Sequence, residues 1–201
     1  MFENIREDYR IHGRSLKNRA FWAMAVYRFG VWSNQRRFRL TRWLTSKCYG
    51  LMKMVSEIVT GVDLDRGVKL GKGFHIVHPG MVYIHPETVF GDRCGVMHNV
   101  TIGTNMGAGV PVIGNDVFIG TGACVLGKVR IGDNVRIAAN SLVITDVPAD
   151  SVAIGVPAKI CPSFDRLRGR KKQPGTQKQE ATAQTAPAEA VPTSQAAGSK
   201  A

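Results

Sequence analysis

The sequence lacks the features of a secreted or membrane-spanning protein. It contains no uncharged apolar run of about 18 residues, the length that a spanning helix needs. Its first residues, MFENIREDYR, mix acidic and basic side chains and include no apolar signal segment. The four cysteines (Cys48, Cys94, Cys124 and Cys161) form no CxxC pair, so we expect reduced thiols. These absences predict a cytoplasmic protein.

Positive charge and aromatic residues concentrate in residues 1–60, and the chain as a whole carries a formal charge of +12. Apolar residues recur there at helical spacing, as in Phe21, Ala25, Phe29 and Trp32, which predicts two or more basic amphipathic α-helices. Two roles stay open. The helices pack on the rest of the chain or on a neighbouring chain, or they attach to the anionic inner face of a membrane as a peripheral contact. No nucleic-acid partner is expected, because no motif for reading nucleic acid is present.

The last forty residues, 162–201, are rich in Ala, Gln, Thr and Pro and contain few large apolar side chains. Such a segment cannot bury enough apolar surface to offset the entropy cost of ordering it, so we expect a disordered tail. The chain is therefore predicted to have a helical segment at 1–60, a repeat domain at 61–161 and a tail at 162–201.

A six-residue repeat runs through the middle of the chain. From Ile113 to Val143 an aliphatic residue occurs at every sixth position, and a small or β-branched residue follows each one four places later. The same step joins Leu64 to Ile76 and Ile84 to Ile102, with extra residues at HPGMVY and TNMGAGVP. A short fixed period predicts a solenoid, here a parallel β-helix in which three units close one turn.

Four of the five histidines, His75, His78, His85 and His98, lie between residues 73 and 103. His78 comes two places after Ile76, and His98 comes two places after Val96. If three units make one turn, these two histidines stack one coil apart on the same side. By the same count, Thr121 and Ala139 continue the column. Histidine suits general-base chemistry because its pKa lies near neutral pH.

The segments VDLDRGVKLGKGFHIVHPG, NVTIGT, IGNDVFIGTGACVLG and VPADSVAIGVPAKI resemble the hexapeptide-repeat acyltransferases, specifically their serine O-acetyltransferase branch. The resemblance covers about residues 60 to 160. It implies a left-handed β-helix, a homotrimer and acetyl-CoA as the acetyl donor, with no metal ion. The brevity of the first 60 residues and the HNVTIG segment look more like the colanic-acid and exopolysaccharide acetyltransferases.

The resemblance assigns roles to individual residues. His78 matches the catalytic histidine, and Asp63, fifteen residues earlier, matches the carboxylate that orients it. His98 either serves the acceptor or the transition state, or is a coil residue that fits by size. The acetyl-CoA site would use small residues that let the pantetheine arm approach backbone amides, and a lysine near the CoA phosphates. These residues are Gly103, Thr104, Gly120, Thr121, Ala138, Ala139 and Lys159.

Two departures from the serine acetyltransferase pattern bear on the acceptor. Val77 stands where that family has an Asp, and Val110 stands where it has a second active-site histidine. We therefore expect a sugar hydroxyl of an exopolysaccharide, a capsular polysaccharide or its lipid-linked precursor. The alternative is serine O-acetylation in cysteine biosynthesis. More remote alternatives are a zinc carbonic anhydrase of the hexapeptide fold, which needs three histidine ligands, and a non-catalytic scaffold.

Overall fold

Three α-helices precede a parallel β-helix in the computed structural model, which describes residues 2–107 and 109–162. The helices are α1 (Phe2–Ile11), α2 (Arg19–Asn34) and α3 (Arg39–Thr60). The side chain of Asn18 caps the start of α2 by accepting a hydrogen bond from the Ala20 N–H at 2.9 Å. Helix α3 ends where Gly61 adopts a left-handed conformation with φ of 65°. No helix among the described residues is both long and apolar enough to cross a membrane.

The β-helix has three sides, each a sheet of short strands. Side one contains β1 (Val62–Leu64), β4 (Val82–Ile84), β7 (Thr101–Gly103), β10 (Cys124–Leu126) and β13 (Leu142–Val143). Side two contains β2 (Lys69–Leu70), β5 (Val89–Phe90), β8 (Val112–Ile113) and β11 (Arg130–Ile131). Side three contains β3 (His75–Ile76), β6 (Gly95–Val96), β9 (Phe118–Ile119), β12 (Arg136–Ile137), β14 (Ser151–Ile154) and β15 (Lys159–Pro162).

The six-residue repeat aligns the inward side chains between coils. On side three Ile76 pairs with Val96, Val96 with Ile119, and Ile119 with Ile137. All four residues are at most 1% exposed, so they form one continuous aliphatic column. The predicted fold, a parallel β-helix of hexapeptide repeats behind an α-helical segment, is confirmed. The predicted disordered tail lies outside the described residues, apart from Pro162, which ends β15.

Helices α1 and α2 attach to the first coil through buried polar contacts. The Tyr27 hydroxyl donates a hydrogen bond to the Val68 carbonyl at 2.8 Å. On α1, Asp8 forms an ion pair with Arg28 of α2, with 2.9 Å between Arg28 Nε and Asp8 Oδ2. Both charged side chains are almost fully buried. The helical segment and the β-helix therefore share one packed interior.

His12, just after α1, is a second polar link to the β-helix. Its Nδ1 donates to the Asp8 carbonyl at 2.7 Å, and its Nε2 accepts from the Ile76 N–H at 3.3 Å. These two bonds require a neutral imidazole, because a protonated Nε2 could not accept a hydrogen bond. Burial lowers the pKa of His12 and outweighs the hydrogen bond and the charge of Asp8, which act in the opposite direction.

We expect stability to fall as the pH is lowered. A histidine whose pKa is depressed by folding contributes stability above its ordinary pKa of 6.5 and loses that contribution below it. His12→Gln should therefore flatten the dependence of the unfolding free energy on pH between pH 7 and 5, by up to about 1.4 kcal/mol per pH unit. Urea titrations across this range measure the slope. The control is His85→Gln. If the unfolding free energy depends on pH as steeply in His12→Gln as in this control and the wild type, a buried neutral His12 is refuted as the cause.

Candidate active site

One corner of the β-helix, where side three turns into side one, carries the histidine pair. His78, His98, Thr121 and Ala139 each lie two places after an inward residue of side three, and the strand registers put them in one column. The rings of His78 and His98 are 6.1 Å apart between centroids. The count of residues along the sequence therefore places these two side chains correctly.

The backbone of this corner is held by hydrogen bonds between successive coils. The Asn99 N–H donates to the Gly80 carbonyl at 2.9 Å, and the Asn140 N–H donates to the Thr121 carbonyl at 2.8 Å. Gly122 has a φ of 69° and lies directly against the Asn140 side chain, so neither the conformation nor the space suits a larger residue. The fixed turns hold the histidine pair on a rigid support.

The two histidines have different surroundings. His78 is exposed, whereas His98 is half-buried. The carbonyl of His98 accepts hydrogen bonds from the Thr121 hydroxyl at 3.1 Å and from the Gly122 N–H at 3.2 Å. The Nδ1 atom of His98 is buried, and no residue in the described part of the chain bonds to it. An unpaired buried polar atom is costly, so this nitrogen would gain from a partner, and a ligand can reach it when the ring turns.

Asp63 bonds to a lysine of α3. Its Oδ1 lies 2.9 Å from Lys53 Nζ, which also contacts Glu57 Oε1 at 2.6 Å. Burial alone would lower the pKa of Lys53, but the two carboxylates outweigh it and raise that pKa well above its ordinary value. Within residues 2–107 and 109–162, no hydrogen bond joins Asp63 to His78. Sequence reasoning missed Lys53, whose only signal is its i,i+4 spacing from Glu57.

The residues predicted to bind acetyl-CoA fall into two groups. Gly120 and Ala138 follow inward residues of side three, and with Thr121 and Ala139 they extend the histidine column with small side chains. The Gly120 position has no space for a side chain, since a Cβ there would lie 2.7 Å from the Ala139 nitrogen. Elsewhere on this chain lie Gly103, which ends β7, Thr104, which follows it, and Lys159, which is exposed in β15.

The remaining histidines and the buried cysteine are away from the column. The ring of His75 packs edge-on against that of His12, with 5.0 Å between centroids. His85 accepts the Glu87 N–H at 3.3 Å, within a turn. Burial raises the pKa of the Cys94 thiol to about 11, which disfavours the thiolate that a nucleophilic cysteine needs. Among the described residues of this chain, no three His, Cys, Asp or Glu side chains are grouped to hold a metal ion.

Comparison with known proteins identifies related transferases. Residues 111–145 match the bacterial transferase hexapeptide family (six repeats). The chain is 36% identical over 143 residues to the serine acetyltransferase of Synechococcus elongatus, with 70% of this chain covered but only 56% of that protein. It is also 36% identical over 143 residues to the serine acetyltransferase of Helicobacter pylori J99, with 68% of this chain and 78% of that protein covered.

Solved structures of serine acetyltransferases share the architecture. The Neisseria gonorrhoeae enzyme in complex with serine superposes with a TM-score of 0.65 and 26% identity, covering 79% of this chain and 68% of that one. The Brucella abortus enzyme in complex with coenzyme A gives a TM-score of 0.68 at 24% identity, covering 81% of this chain and 68% of that one. The second likeness is one of fold alone.

These relatives correct two expectations. The predicted polysaccharide acceptor is wrong, because the relatives are named serine acetyltransferases and so favour the serine alternative. The closer resemblance to exopolysaccharide acetyltransferases likewise finds no support. The polysaccharide acceptor was expected from Val77 and Val110, together with the short helical segment and the HNVTIG segment. Two side chains do not define a pocket that backbone groups and other side chains also line. The wider resemblance to hexapeptide-repeat acyltransferases is confirmed.

Proposed function

Since this chain belongs to the serine acetyltransferase family, we propose that it transfers an acetyl group from acetyl-CoA to the hydroxyl oxygen of serine. The observation that carries this proposal is the pairing of His78 and His98 at a rigid corner, within the region of 143 residues shared with the relatives. An exposed imidazole beside a second, half-buried one gives the site a proton acceptor and a fixed hydrogen-bonding group.

His78 acts as the general base in this proposal. Its ring is exposed, so a serine hydroxyl can approach one of its nitrogens directly. Taking the hydroxyl proton as the oxygen attacks makes the alcohol a better nucleophile. The thioester supplies the acetyl group, and the protonated His78 then holds a proton that the departing thiol can take up. A histidine serves both directions because its pKa lies near neutral pH.

His98 is the proposed binding partner of the acceptor. Its backbone is fixed by Thr121 and Gly122, and its buried Nδ1 has an unused hydrogen-bonding capacity. When the ring turns to expose this nitrogen, a carboxylate or amino group of serine could bond it while the hydroxyl faces His78, whose ring centroid is 6.1 Å away. This division of roles orients the acceptor before proton transfer, which is how positioning residues lower a barrier.

Asp63 is a proposed positioning residue. It lies in β1 on the coil that ends at the corner of His78, and its carboxylate is bonded to Lys53. A carboxylate near a catalytic imidazole stabilises the positive charge that develops when the base is protonated. To bond His78 directly, Asp63 would have to share its oxygens between that ring and Lys53.

The column beyond His98 suits an extended thioester. Thr121 and Ala139 continue the corner with small side chains that we propose as the path of the thioester, and Gly120 and Ala138 directly precede them in the chain. Small side chains let a pantetheine arm reach backbone N–H groups. Gly103, Thr104 and Lys159 lie away from this path on the same chain, so we propose that a neighbouring copy in a homotrimer supplies them. The neighbouring copy would also cover the thioester and exclude water from it.

The acceptor is tested by identifying the product. Incubation of the full chain with acetyl-CoA and L-serine should yield O-acetylserine, identified by mass spectrometry and by its ester-specific loss with hydroxylamine. Glycine, which has the same amino and carboxyl groups but no hydroxyl, is the matched control and should give no acetylated product. Coenzyme A release without O-acetylserine would overturn the proposed acceptor.

We propose that the reaction takes place in the cytoplasm.

A further inference from the structure

Helix α3 presents a wide apolar surface to solvent. Over its 22 residues only Tyr49 and Thr60 are buried. Eight large apolar side chains on this helix are between 50% and 78% exposed: Leu40, Trp43, Leu44, Leu51, Met54, Val55, Ile58 and Val59. At about 100° per residue, these side chains cover close to half of the helix circumference. We call them, with Lys47 in their midst, the α3 outer face.

The polar side of α3 contacts the rest of the protein. The Tyr49 hydroxyl accepts a hydrogen bond from the Arg66 N–H at 3.0 Å, and Lys53 binds Asp63. The hydroxyl of Ser33 on α2 donates to that of Thr45 at 2.7 Å. The helix is thus oriented with polar groups inward and apolar groups outward, the reverse of an ordinary surface helix. Something apolar must cover the α3 outer face.

The apolar surface continues onto α2. A groove of about 430 Å³ separates the two helices and is lined by apolar side chains, including Trp22 and Val26 of α2 and Met52 and Val59 of α3. Trp22 is 51% exposed. Tryptophan favours the boundary between water and lipid headgroups, where an apolar ring can be buried while its N–H stays in polar surroundings.

The segment that contains α3 has an excess of positive charge. Residues 34–60 contain six basic side chains (Arg36, Arg37, Arg39, Arg42, Lys47 and Lys53) and one acidic side chain, Glu57. Glu57 contacts Lys53 at 2.6 Å. The charge of this segment, +6 from Lys and Arg and −1 from Glu, is therefore +5. An anionic surface would attract this excess charge, and each cation near the surface raises the affinity about fivefold.

We propose that the α3 outer face lies on the surface of an anionic phospholipid membrane, with α3 parallel to the bilayer plane. Lys47 distinguishes this occupant from a second copy of the chain. In a helix–helix contact, Lys47 would be buried among Leu44, Leu51 and the partner's side chains without an acidic group. On a membrane its long stem can extend to the lipid phosphates. A two-fold pair of α3 helices would also bring together segments of charge +5 each, which repel.

This inference concerns attachment and does not depend on the acetyl acceptor. The test uses the full chain and two kinds of vesicle, one of phosphatidylcholine alone and one with about a third phosphatidylglycerol. We expect co-sedimentation with the anionic vesicles only, weakening as salt is raised. In Leu44→Ser/Ile58→Ser, affinity should fall at least about tenfold, since two apolar anchors are lost. The control, Val112→Ser/Ile144→Ser, removes two exposed apolar residues from the β-helix and should bind like the wild type.

Two results would overturn the proposal. One is equal affinity of the wild type and Leu44→Ser/Ile58→Ser for anionic vesicles. The other is a wild type that does not bind vesicles but forms a larger assembly, which Leu44→Ser/Ile58→Ser disrupts. Sedimentation velocity would show this, and the α3 outer face would then be a contact between copies. Circular dichroism establishes that each variant is folded. Serine acetylation in solution should be the same in all of these variants, so failure of the membrane proposal and failure of the serine proposal are distinguishable.

Discussion

Replacing His78 by alanine should lower kcat for serine acetylation by about 10³, within the range of 10²–10⁴ that a positioned general base contributes. The loss should appear in kcat and in kcat/KM together, because proton transfer occurs only in the transition state. Coenzyme A release followed with a thiol reagent measures both constants. Since the side chain of His78 is exposed, its removal should leave the folded structure intact.

The control is His85→Ala, which removes a histidine of the same segment that lies outside the column. It should retain wild-type kcat. His98→Ala should behave differently from both, raising KM for serine more than it lowers kcat, because the proposed role of His98 is to bind the acceptor. Full activity in His78→Ala, with loss only in His98→Ala, would transfer the role of base to His98.

Replacing Arg28 by methionine should destabilise the fold by about 3–5 kcal/mol, the cost of leaving a buried charge without its partner. Asp8 is 1% exposed on its side chain, and Arg28 Nε and Nη2 bond its two oxygens at 2.9 and 3.3 Å. Methionine fills much of the volume of the arginine stem, so the loss measures charge rather than a cavity. Chemical denaturation at pH 7 gives the free energy of unfolding.

The double variant Asp8→Asn/Arg28→Met is the matched control. With no charge left in the interior, it should recover a large part of the lost stability, because replacing both members of a buried pair costs less than removing one. If Arg28→Met unfolds with the same free energy as the wild type, the Asp8–Arg28 pair does not hold α1 to α2.

The fold was predictable because an inward-facing residue at every sixth position fixes where each strand lies and which strands it pairs with. The step from Ile119 to Ile137 is three units of six residues, and the steps from Ile76 to Val96 and from Val96 to Ile119 are three units with two and five extra residues, so the registers follow once the extra residues are located. The extra residues between Gly103 and Val112 leave the register intact, since Phe90 pairs with Ile113. The His78–His98 column is a direct consequence of this regularity.

Other features depend on contacts that a repeat does not encode. The bond between Asp63 and Lys53 joins β1 to α3, and the bond between His12 and Ile76 joins residues 64 positions apart. Neither pair has a spacing that identifies it in the sequence. The helical pattern of α3 is visible in the sequence, but periodicity alone does not say which face is buried. The structure places the apolar face outside.

The acceptor was the largest error of sequence reasoning. Val77 and Val110 replace an Asp and a His of the serine acetyltransferase pattern, and we took these replacements as evidence against serine. Neither valine determines what the rest of the site binds. Val77 continues the ladder of side three through its N–H, which donates to the Val96 carbonyl at 3.0 Å. Overall similarity to serine acetyltransferases outweighs these two positions.

The most direct test of the central claim is coenzyme A release as a function of L-serine concentration, in the wild type and in His78→Ala side by side. The account predicts release that rises and saturates with serine in the wild type and falls by about 10³ in the variant. Release that does not depend on serine, or that is undiminished in His78→Ala, would contradict it.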